Sequence, residues 1–439
     1  MAKGKKKESL TPEERLQAAL VPESEQPYKV PGNWCWVYAP AVFNIEYGKG
    51  LPTKELCESG YPVFGANGQI GFYSEYMFEE EKALMSCRGA YSGTMNLSLP
   101  KSFITNNSLV IESKLADVSV KFVFYLYSAL NKASLISGSA QPQVTVQAFN
   151  NYPVPISPLP EQQRIVDRIE SLFAKLDEAR QKAQDALDSF ETRKAAILHK
   201  AFTGELTAQW RKEHDVGMES WENSTVGQVC HDVKVGIVIK PSQYYTDEEK
   251  GTPAFRSANV RENRIDDFDW VYLNCAGMEN NSRSVVHTGD VLVVRSGNPG
   301  TACVVSEKFD GYNAIDILIA VPDRSKITSE FLCSYTNSPF GKNLIFKNKR
   351  GMALAHFNVK GYSGLPIRIP KLNEQIEIVR ILDDLLAKEQ QAEDAAEGVL
   401  EQIDLMKKAI LARAFRGELG TNDPREESAV ELVKRALSN

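Results

Sequence analysis

Short loops between segments of strand-like sequence carry side chains that can form two hydrogen bonds at once with a planar polar group. Arginine, asparagine and glutamine carry such groups, and lysine, serine and threonine add single polar contacts. The first set of loops contains Asn67, Gln69, Arg88, Tyr91, Ser92, Thr94, Ser139, Gln141 and Gln143. The second contains Arg256, Asn259, Arg295, Ser296, Asn298, Lys347, Lys349, Arg350 and His356. These loops are candidate binding surfaces.

Each of these residues also has a simpler explanation. Asn67 and Asn298 stand beside glycine or proline, so they could serve only the turns. Arg88 and Arg295 could be buried partners of carboxylates that stabilise the fold. The sequence leaves both explanations open.

Known catalytic motifs are missing from the chain. There is no Asn-Pro-Pro-Tyr-like motif, no Gly-x-Gly-x-x-Gly cofactor loop after a strand, no Gly-x-x-x-x-Gly-Lys-Thr loop and no His-Glu-x-x-His. The five histidines are scattered in sequence: His199, His214, His231, His287 and His356. The seven cysteines never form a Cys-x-x-Cys pair, which favours reduced core residues over disulfides or zinc ligands. We expect no catalytic residue, no metal site and no cofactor bound by this chain.

The two sets of loops belong to two segments with a common plan, residues 31–156 and 219–369. Strand-like runs include GYPVFGANGQIGFY and SLVIES in the first, and CHDVKVGIVI, GDVLVVRSG and ILIAVP in the second. Helices are predicted near residues 118–131 and 329–337. Each segment begins near a tryptophan, Trp34 or Trp221, and continues with a Pro-x-Phe strand. The pattern predicts two divergent versions of one α/β module.

A stretch of 48 residues that follows each module occurs twice. Residues 159–206 align without a gap onto residues 372–419, with about 20 identities in about 48 positions. The first copy opens with Leu-Pro-Glu-Gln and the second with Leu-Asn-Glu-Gln, and both close with Ala-Phe-x-Gly-Glu-Leu. Solenoids repeat at roughly 20 to 50 residues in several stacked units, so this spacing indicates a two-part chain instead.

Both copies have the apolar spacing of a coiled-coil helix. The predicted seam of the first copy is Ile165, Ile169, Leu172, Leu176, Ala179, Ala183, Ala186, Phe190 and Ile197. That of the second is Ile378, Leu382, Leu385, Glu389, Ala392, Ala396, Val399, Ile403, Met406 and Ile410. A helix of about 42 residues would be about 63 Å long and needs a partner. We expect the copies to pair antiparallel with their alanines opposed; two independent helices are the alternative.

Composition indicates a globular protein with several domains. The chain has 439 residues, of which 43% are hydrophobic and 25% charged, and no apolar run approaches the roughly 20 residues of a membrane span. The start MAKGKKKESL lacks the apolar stretch of a signal peptide, so a cytoplasmic location is expected. The net charge of −6 argues only mildly against a nucleic-acid partner, because the acidic excess lies in the helical copies and tails.

Six segments are therefore predicted along the chain. They are an N-terminal arm (1–30), a first α/β module (31–156), a central helical region (157–218), a second α/β module (219–369), a C-terminal helical region (370–420) and a tail (421–439). Within the arm, Thr11 can cap a short helix that Pro12 opens and that ends near Leu20.

Two variable modules, each followed by this helical repeat, resemble the specificity subunit of type I restriction-modification systems. The resemblance covers nearly the whole chain; the second copy departs from it at Asn373, where the first has Pro160, and at Gly398 inside the helix. It implies two α/β target recognition domains and two long helices in an antiparallel coiled coil, with pseudo-twofold symmetry. Each domain would contact one half of a split sequence in double-stranded DNA, so the loop residues become candidate DNA contacts.

The resemblance also implies partners. The helical repeats would set the spacing between the half-sites and dock two modification subunits, which carry S-adenosylmethionine and methylate adenine. Restriction subunits with ATP and Mg would join them, in the cytoplasm of a bacterial or archaeal cell and associated with the nucleoid. Two other classes stay open: a scaffold whose modules bind ligands other than DNA, and a stand-alone DNA-modifying enzyme with unfamiliar motifs.

Overall fold

The computed structural model describes residues 11–349 and 357–438, without the side chains of residues 347–349. The chain forms two compact units. Unit 1 is Met1–Ala183 with Gly398–Asn439, and unit 2 is Gln184–Glu397. Each unit therefore contains one α/β module together with part of both helical repeats.

The first part of the chain alternates short strands with few helices. Its elements are α1 (Pro12–Ala19), β1 (Cys35–Tyr38), α2 (Ala39–Val42), β2 (Phe43–Tyr47), β3 (Tyr61–Gly65), β4 (Gly68–Tyr73), β5 (Ala83–Ser86), β6 (Met95–Leu97), β7 (Phe103–Ile104), β8 (Ser108–Ser113), α3 (Val120–Ala129), β9 (Ile136–Ser137), β10 (Gln143–Val144) and β11 (Pro153–Ile156). Residues 31–156 are called module 1. It contains a four-stranded antiparallel sheet in the order β2-β8-β5-β6 and a three-stranded sheet in the order β4-β3-β7.

The second part begins with a long helix and then repeats the plan. Its elements are α4 (Leu159–Thr203), α5 (Ala208–Glu213), β12 (Glu222–Thr225), α6 (Val226–Val229), β13 (Cys230–Val235), β14 (Tyr245–Thr246), β15 (Thr252–Phe255), β16 (Val260–Arg261), β17 (Arg264–Ile265), β18 (Val271–Leu273), α7 (Cys275–Asn280), β19 (Val291–Val294), β20 (Ala302–Val304), β21 (Asn313–Ala314), β22 (Ile317–Pro322), α8 (Ser329–Asn337), α9 (Pro339–Lys349), α10 (Val359–Ser363), β23 (Pro366–Ile369), α11 (Leu372–Ala414) and α12 (Ala429–Ser438). Residues 219–369 are called module 2. Its sheets have the orders β13-β22-β19-β20 and β14-β18-β15-β21.

The two modules match strand for strand in their central sheets. Strand β3 pairs parallel with β7 in module 1, and β15 pairs parallel with β21 in module 2. The Pro-x-Phe sequences lie in β3 and β15, as their shared pattern indicates. The predicted helix at residues 329–337 is confirmed with its bounds, and Thr328 caps it by accepting a hydrogen bond from the Phe331 amide.

Alternate residues of the central strands face two different cores, because side chains on a strand point to opposite sides in turn. In module 1, Ala83 and Met85 belong to the main core, while Leu84 belongs to a smaller cluster on the other side of the sheet. In module 2, Val291 and Val293 pack with the long helices, and Leu292 packs in a separate cluster. Both sheets are thus buried on both faces.

In unit 1 the start of α4 pairs antiparallel with the end of α11. Asp177 forms an ion pair with Lys407, and Arg180 forms one with Asp404. Residue numbers therefore increase along α4 where those of its partners in α11 decrease, as in an antiparallel pair. In unit 2 the same direction holds, since Arg193 pairs with Glu389 at 2.8 Å and Arg211 pairs with Glu374 at 2.7 Å. The predicted antiparallel coiled coil is confirmed.

The predicted seam of the second copy is partly wrong. Ala392, Val399 and Met406 are exposed, with Val399 and Met406 at 40% and 47%. Burial shifts instead by one residue to Glu393, Leu400 and Lys407, which are all half-buried. In the first copy Ala186 is exposed as well. Of the four alanines that were predicted to face one another, Ala392 is exposed, Ala183 is buried, and Ala179 and Ala396 are half-buried.

The glutamate near the start of each helical copy is buried in a network of polar groups. In unit 1, Glu161 is 0% exposed and accepts hydrogen bonds from Trp34 Nε1 (2.7 Å), Thr421 Oγ1 (3.1 Å) and Asn422 Nδ2 (2.8 Å). Each unit thus joins the start of one copy to the residues that follow the other copy. We call this network the unit 1 clamp.

The corresponding network in unit 2 has a different composition. Glu374, 1% exposed, accepts from Thr207 Oγ1 and Arg211 Nη1, both at 2.7 Å. Trp221 Nε1 and Glu374 Oε2 are buried and have no hydrogen-bond partner among the described residues. We call this network the unit 2 clamp; it uses an arginine where unit 1 uses a tryptophan and an asparagine.

The first and last described segments of the chain pack together in unit 1. Thr11 forms a capping box with Glu14 at the start of α1, as the sequence predicts, and α1 packs against α12. Arg164 Nη1 and Nη2 donate to the two carboxylate oxygens of Glu426 at 2.8 and 2.9 Å. The described parts of the predicted arm and tail are therefore packed against the body of unit 1.

Glycines end both long helices. Gly204 has φ +83° and Gly417 has φ +74°, a left-handed conformation that favours glycine just past a helix end. The recurring Gly-Glu-Leu sequence is thus explained by helix termination.

Candidate nucleic-acid interface

The three predicted loops of module 1 lie together. The β5–β6 hairpin carries Arg88, Tyr91 and Ser92, and the chain reverses there through Gly89 and Gly93, with φ of +77° and +85°. The Gly89 amide and Ser92 Oγ both donate to the Pro142 carbonyl, at 2.9 and 2.7 Å. This places the hairpin loop against the loop that contains Ser139, Gln141 and Gln143.

The loop between β3 and β4 joins the same surface. Ser86 Oγ, at the end of β5, donates to the Ala66 carbonyl, one residue before Asn67. Asn67, Gln69, Thr94, Ser139, Gln141 and Gln143 are exposed there, and Ser92 is half-buried. We call this surface face 1.

Arg88 is the exposed cation of face 1. Its guanidinium forms no hydrogen bond or ion pair with any described residue, and Tyr91 beside it is 50% exposed. The neighbouring thiol of Cys87 is buried, which raises its pKa, while the charge of Arg88 acts in the opposite direction. Face 1 thus presents an unpaired guanidinium, an aromatic ring and several amides to solvent.

The equivalent hairpin of module 2, β19–β20, has the same form and different chemistry. Arg295 directly follows β19, at the place of Cys87 in module 1, one residue before the position that corresponds to Arg88. Its side chain is only 11% exposed, and Nη1 pairs with Asp316 Oδ1 at 3.0 Å. Its Nε is buried without a partner among the described residues. The suggestion that this arginine is a buried pair partner is thus correct for Arg295, while Arg88 is free.

In module 2, hydrogen bonds of its own side chains also hold the loop after β15 in place. Arg256 Nη2 donates to Asp269 Oδ2 at 2.7 Å. Asn259 is 0% exposed: its Oδ1 accepts from the Arg256 amide, and its Nδ2 donates to the Phe268 carbonyl at 2.8 Å. Asn259 therefore stabilises its loop and presents no free amide to solvent in this conformation, contrary to its prediction as a contact residue.

The other predicted residues of module 2 differ in what can be said of them. Ser296 is half-buried and Asn298 is exposed in the β19–β20 loop. Lys347 and Lys349 lie in α9, whose side chains at that end are not described, and Arg350 and His356 lie outside the described residues. The Phe357 amide donates to the Arg295 carbonyl at 3.3 Å, so the chain re-enters beside the hairpin loop. We call the surface around Arg295, Ser296 and Asn298 face 2.

Sequence reasoning missed a loop that is bonded to Asp316, the ion-pair partner of Arg295 in face 2. The run CHDVKVGIVI predicts a strand through Ile239, but β13 ends at Val235 and the next residues form a loop. Ile239 is 79% exposed, Val238 is 49% exposed and Lys240 is exposed. Alternating apolar residues concealed this loop; Gly236 and the Lys-Pro at its end were the available signals.

Among the described residues, no group of three or more histidine, cysteine or acidic side chains could hold a metal ion. Within the same part of the chain, every helix is too short or too polar to cross a membrane.

Comparison with known proteins gives a consistent assignment. A family model for the type I restriction modification DNA specificity domain matches residues 39–186 and 218–397. The EcoKI specificity subunit of Escherichia coli K12 is 26% identical over 303 residues, which span 66% of this chain and 62% of that subunit. The EcoBI specificity subunit of Escherichia coli is 22% identical over 88% of this chain and 86% of that subunit.

Solved structures share the fold at low sequence identity. The HsdS subunit from Thermoanaerobacter tengcongensis covers 90% of this chain and 100% of its own, with a TM-score of 0.59 and 21% identity. A chain from a structural study of type I R-M complex assembly and conformational transition covers 89% of this chain and 100% of its own, with a TM-score of 0.64 and 21% identity. Since the family model matches most of the chain in two copies, the chain belongs to the type I restriction-modification DNA specificity family.

Proposed function

We propose that module 1 and module 2 each contact one half of a bipartite DNA target, and that the chain itself is not catalytic. The supporting observation is that the same β-hairpin is built twice, in β5–β6 and β19–β20, with different side chains at its tip. A common framework with divergent loops is what two readers of different sequences require, since loops on a rigid scaffold determine recognition.

Face 1 has the groups that base recognition uses. Arginine donates two hydrogen bonds to guanine, asparagine and glutamine pair with adenine, and hydroxyl groups mostly contact phosphate. Arg88 is unpaired among the described residues, and Asn67, Gln69, Gln141 and Gln143 are exposed around it. On face 2, Asn298 is exposed and Arg295 is held by Asp316, so Arg295 would offer only its free Nη2 edge.

The partners follow from the family. In this proposal the helical repeats dock two modification subunits, which hold S-adenosylmethionine and methylate adenine, and they fix the spacing between the half-sites. Restriction subunits with ATP and Mg complete the complex in the cytoplasm, close to the nucleoid. Surface ion pairs along the helices, such as Glu178 with Lys182, are only solvated charges unless a partner covers them.

Module exchange tests this proposal. The chain is co-expressed with its modification subunit, and the methylated adenines of the host genome are mapped. In a second strain, residues 31–156 of the chain are replaced by the equivalent module of a relative with a different specificity. We expect a split motif in both strains, with one half changed and the other half and the spacing unchanged.

The rival functions predict other outcomes. A scaffold that binds no DNA would give no methylated motif and no salt-dependent DNA binding. A stand-alone modifying enzyme would methylate DNA without the modification subunit. Either result would overturn the proposal.

A further inference from the structure

The most exposed large hydrophobic side chain among the described residues lies in a loop that is bonded to Asp316, the ion-pair partner of Arg295 in face 2. Ile239 is 79% exposed, and its neighbour Val238 is 49% exposed. Isolated apolar side chains are common on protein surfaces. Two adjacent β-branched residues at a loop tip are unusual, because exposing both apolar side chains to water is energetically unfavourable. Their position suggests that the tip is covered in a complex.

The tip of this loop, residues 238–240, follows a segment that backbone hydrogen bonds hold in place; we call that segment, Gly236 and Ile237, the root. The Ile237 amide donates to the Ala314 carbonyl at 2.8 Å, and the Ile237 carbonyl accepts from the Asp316 amide at 3.0 Å. A Cβ at Gly236 would lie 2.3 Å from the Ala314 carbonyl oxygen, so the strand passes too close for any side chain there. Lys240, on the far side of the tip, has φ +42°. The tip is therefore preorganised, and isoleucine and valine are stiff at χ1.

The same root carries the predicted reading loop. Asp316, whose amide binds Ile237, also holds Arg295 through its carboxylate at 3.0 Å. Ile239 thus lies two residues after Ile237, which is bonded to Asp316, and Asp316 in turn positions Arg295. Lys240 is exposed next to Ile239 and adds a positive charge suited to phosphate.

We infer that Ile239, supported by Val238, inserts as a wedge between neighbouring base pairs of the half-site bound by module 2. This inference rests on the proposed DNA-reading function. Apolar side chains inserted at base steps unstack them and kink the duplex. Duplex DNA is favoured over a protein partner because the exposed apolar tip is only two residues wide, has a lysine beside it and adjoins the Arg295 loop.

Module 1 lacks the wedge although it has the same root. The Lys49 amide donates to the Ile104 carbonyl at 2.9 Å, and a Cβ at Gly48 would lie 2.3 Å from the Ile104 carbonyl oxygen. The following residues are Gly50, Leu51 and Pro52, and Leu51 is half-buried. The distortion should therefore occur in one half-site only.

Fluorescence of 2-aminopurine in the DNA tests the wedge. The chain is assembled with its modification subunit on duplexes that carry the probe at successive steps of each half-site. The adenine to be methylated is left out, because methyltransferases flip their target base. We expect one bright step in the half-site of module 2 and none in that of module 1. Ile239→Ala should remove most of this brightening and weaken binding severalfold.

Leu99→Ala is the matched control. Leu99 is 52% exposed in module 1 and lies outside the predicted loops, between Ser98 and Lys101, whose amides donate to the Lys82 and Glu79 carbonyls. It should leave binding and brightening unchanged. Thermal unfolding of both variants should match that of the wild type, since both side chains are exposed.

The outcomes separate the wedge from the proposed function. Selective, salt-dependent DNA binding without a bright step, or equal brightening by Ile239→Ala, would overturn the wedge alone. If Ile239→Ala instead lowers association with the modification subunit and leaves DNA binding unchanged, the tip serves a protein partner and the inference is wrong. Failure of the wild-type assembly to select any sequence would overturn both.

Discussion

Module 1 and module 2 share their sheets and hairpins but differ where those hairpins meet solvent. Arg88 is free and exposed on face 1, whereas Arg295, one position earlier in the equivalent β19–β20 hairpin, is bound to Asp316 and only 11% exposed. In module 1 the segment equivalent to Asp316 carries Asn106, whose amide donates to the Lys49 carbonyl at 3.0 Å as Asp316 does to Ile237. Module 2 therefore combines an arginine, Arg295, with a carboxylate, Asp316, where module 1 has Cys87 and the neutral Asn106.

The two clamps show the opposite relation. Glu161 and Glu374 are both buried and both accept a hydrogen bond from a threonine, Thr421 or Thr207, yet their other partners differ. Where the role is structural, different residues satisfy the same buried carboxylate. In the hairpin loops, by contrast, the arginine is unpaired in module 1 and ion-paired in module 2. Substitutions in matched pairs can test both statements.

The largest effect is expected from Arg211→Ala in the unit 2 clamp. It removes the cation that donates to Glu374 at 2.7 Å and leaves a carboxylate that is 1% exposed. Breaking a buried pair from one side costs about 3–5 kcal/mol. Hydrogen exchange of the slowest amides in β22 should report this loss in the free energy of unfolding of unit 2.

An arginine in an exposed ion pair provides the control. Arg425→Ala removes the partner of Asp423, and its side chain is 88% exposed, so no measurable change in unfolding is expected. If Arg211→Ala were as mild as Arg425→Ala, Glu374 would not depend on a cation and the two clamps would be energetically alike.

Next in size is the difference between two tryptophan substitutions. Trp34→Phe deletes the indole N–H that donates to Glu161 at 2.7 Å, and a hydrogen bond to a charged group is worth about 1.5–3 kcal/mol. Trp221→Phe deletes an indole N–H that has no partner among the described residues. Both tryptophans are 5% exposed, and phenylalanine keeps a ring for Arg368, which lies 5.8 Å from the Trp221 ring centroid, so the difference between the two changes reports the hydrogen bond. Equal destabilisation of the two units by chemical denaturation would contradict the comparison.

Arg88→Ala tests the freedom of face 1. A bidentate contact with a base is worth about 1–3 kcal/mol of discrimination, so methylation should spread to variants of the module 1 half-site. The half-site of module 2 is the internal control and should stay unchanged. Sequencing of methylated adenines measures both. Uniform weakening at all sequences would show that Arg88 contacts phosphate.

Much of the fold follows from local sequence signals. The repeat, the capped helix from Pro12, the helix at residues 329–337 and the strand at residues 108–113 all have short-range causes in capping, alternation and periodicity. The seam of α11 does not follow from local signals. Whether Ala392 or Glu393 is buried depends on the residues that the helix packs against. The strand predicted through Ile239 was wrong for a related reason: alternation cannot tell a buried strand from an exposed loop tip.

The candidate site was predictable as loops and not as side chains. Glycine turns and polar residues indicate the hairpin loops around Arg88 and Arg295, and the DNA role itself rests on a family resemblance. That Arg295 is ion-paired depends on Asp316, which is distant in sequence and reaches Arg295 only through the pairing of β19 with β22. Long-range strand pairing therefore decides the chemistry of the loop.

The smallest expected effect concerns the two helical copies. Copy one has Asp185 where copy two has Gly398, inside α11. A Cβ at Gly398 meets nothing within 4 Å, so Gly398→Ala should stabilise the helix by about 1 kcal/mol through its higher helix propensity. Gly341→Ala in α9 is the opposite control, because its Cβ would lie 2.5 Å from the Tyr335 carbonyl oxygen. Thermal unfolding should therefore move up for the first and down for the second; a decrease for Gly398→Ala would show that α11 needs a flexible point that α4 does without.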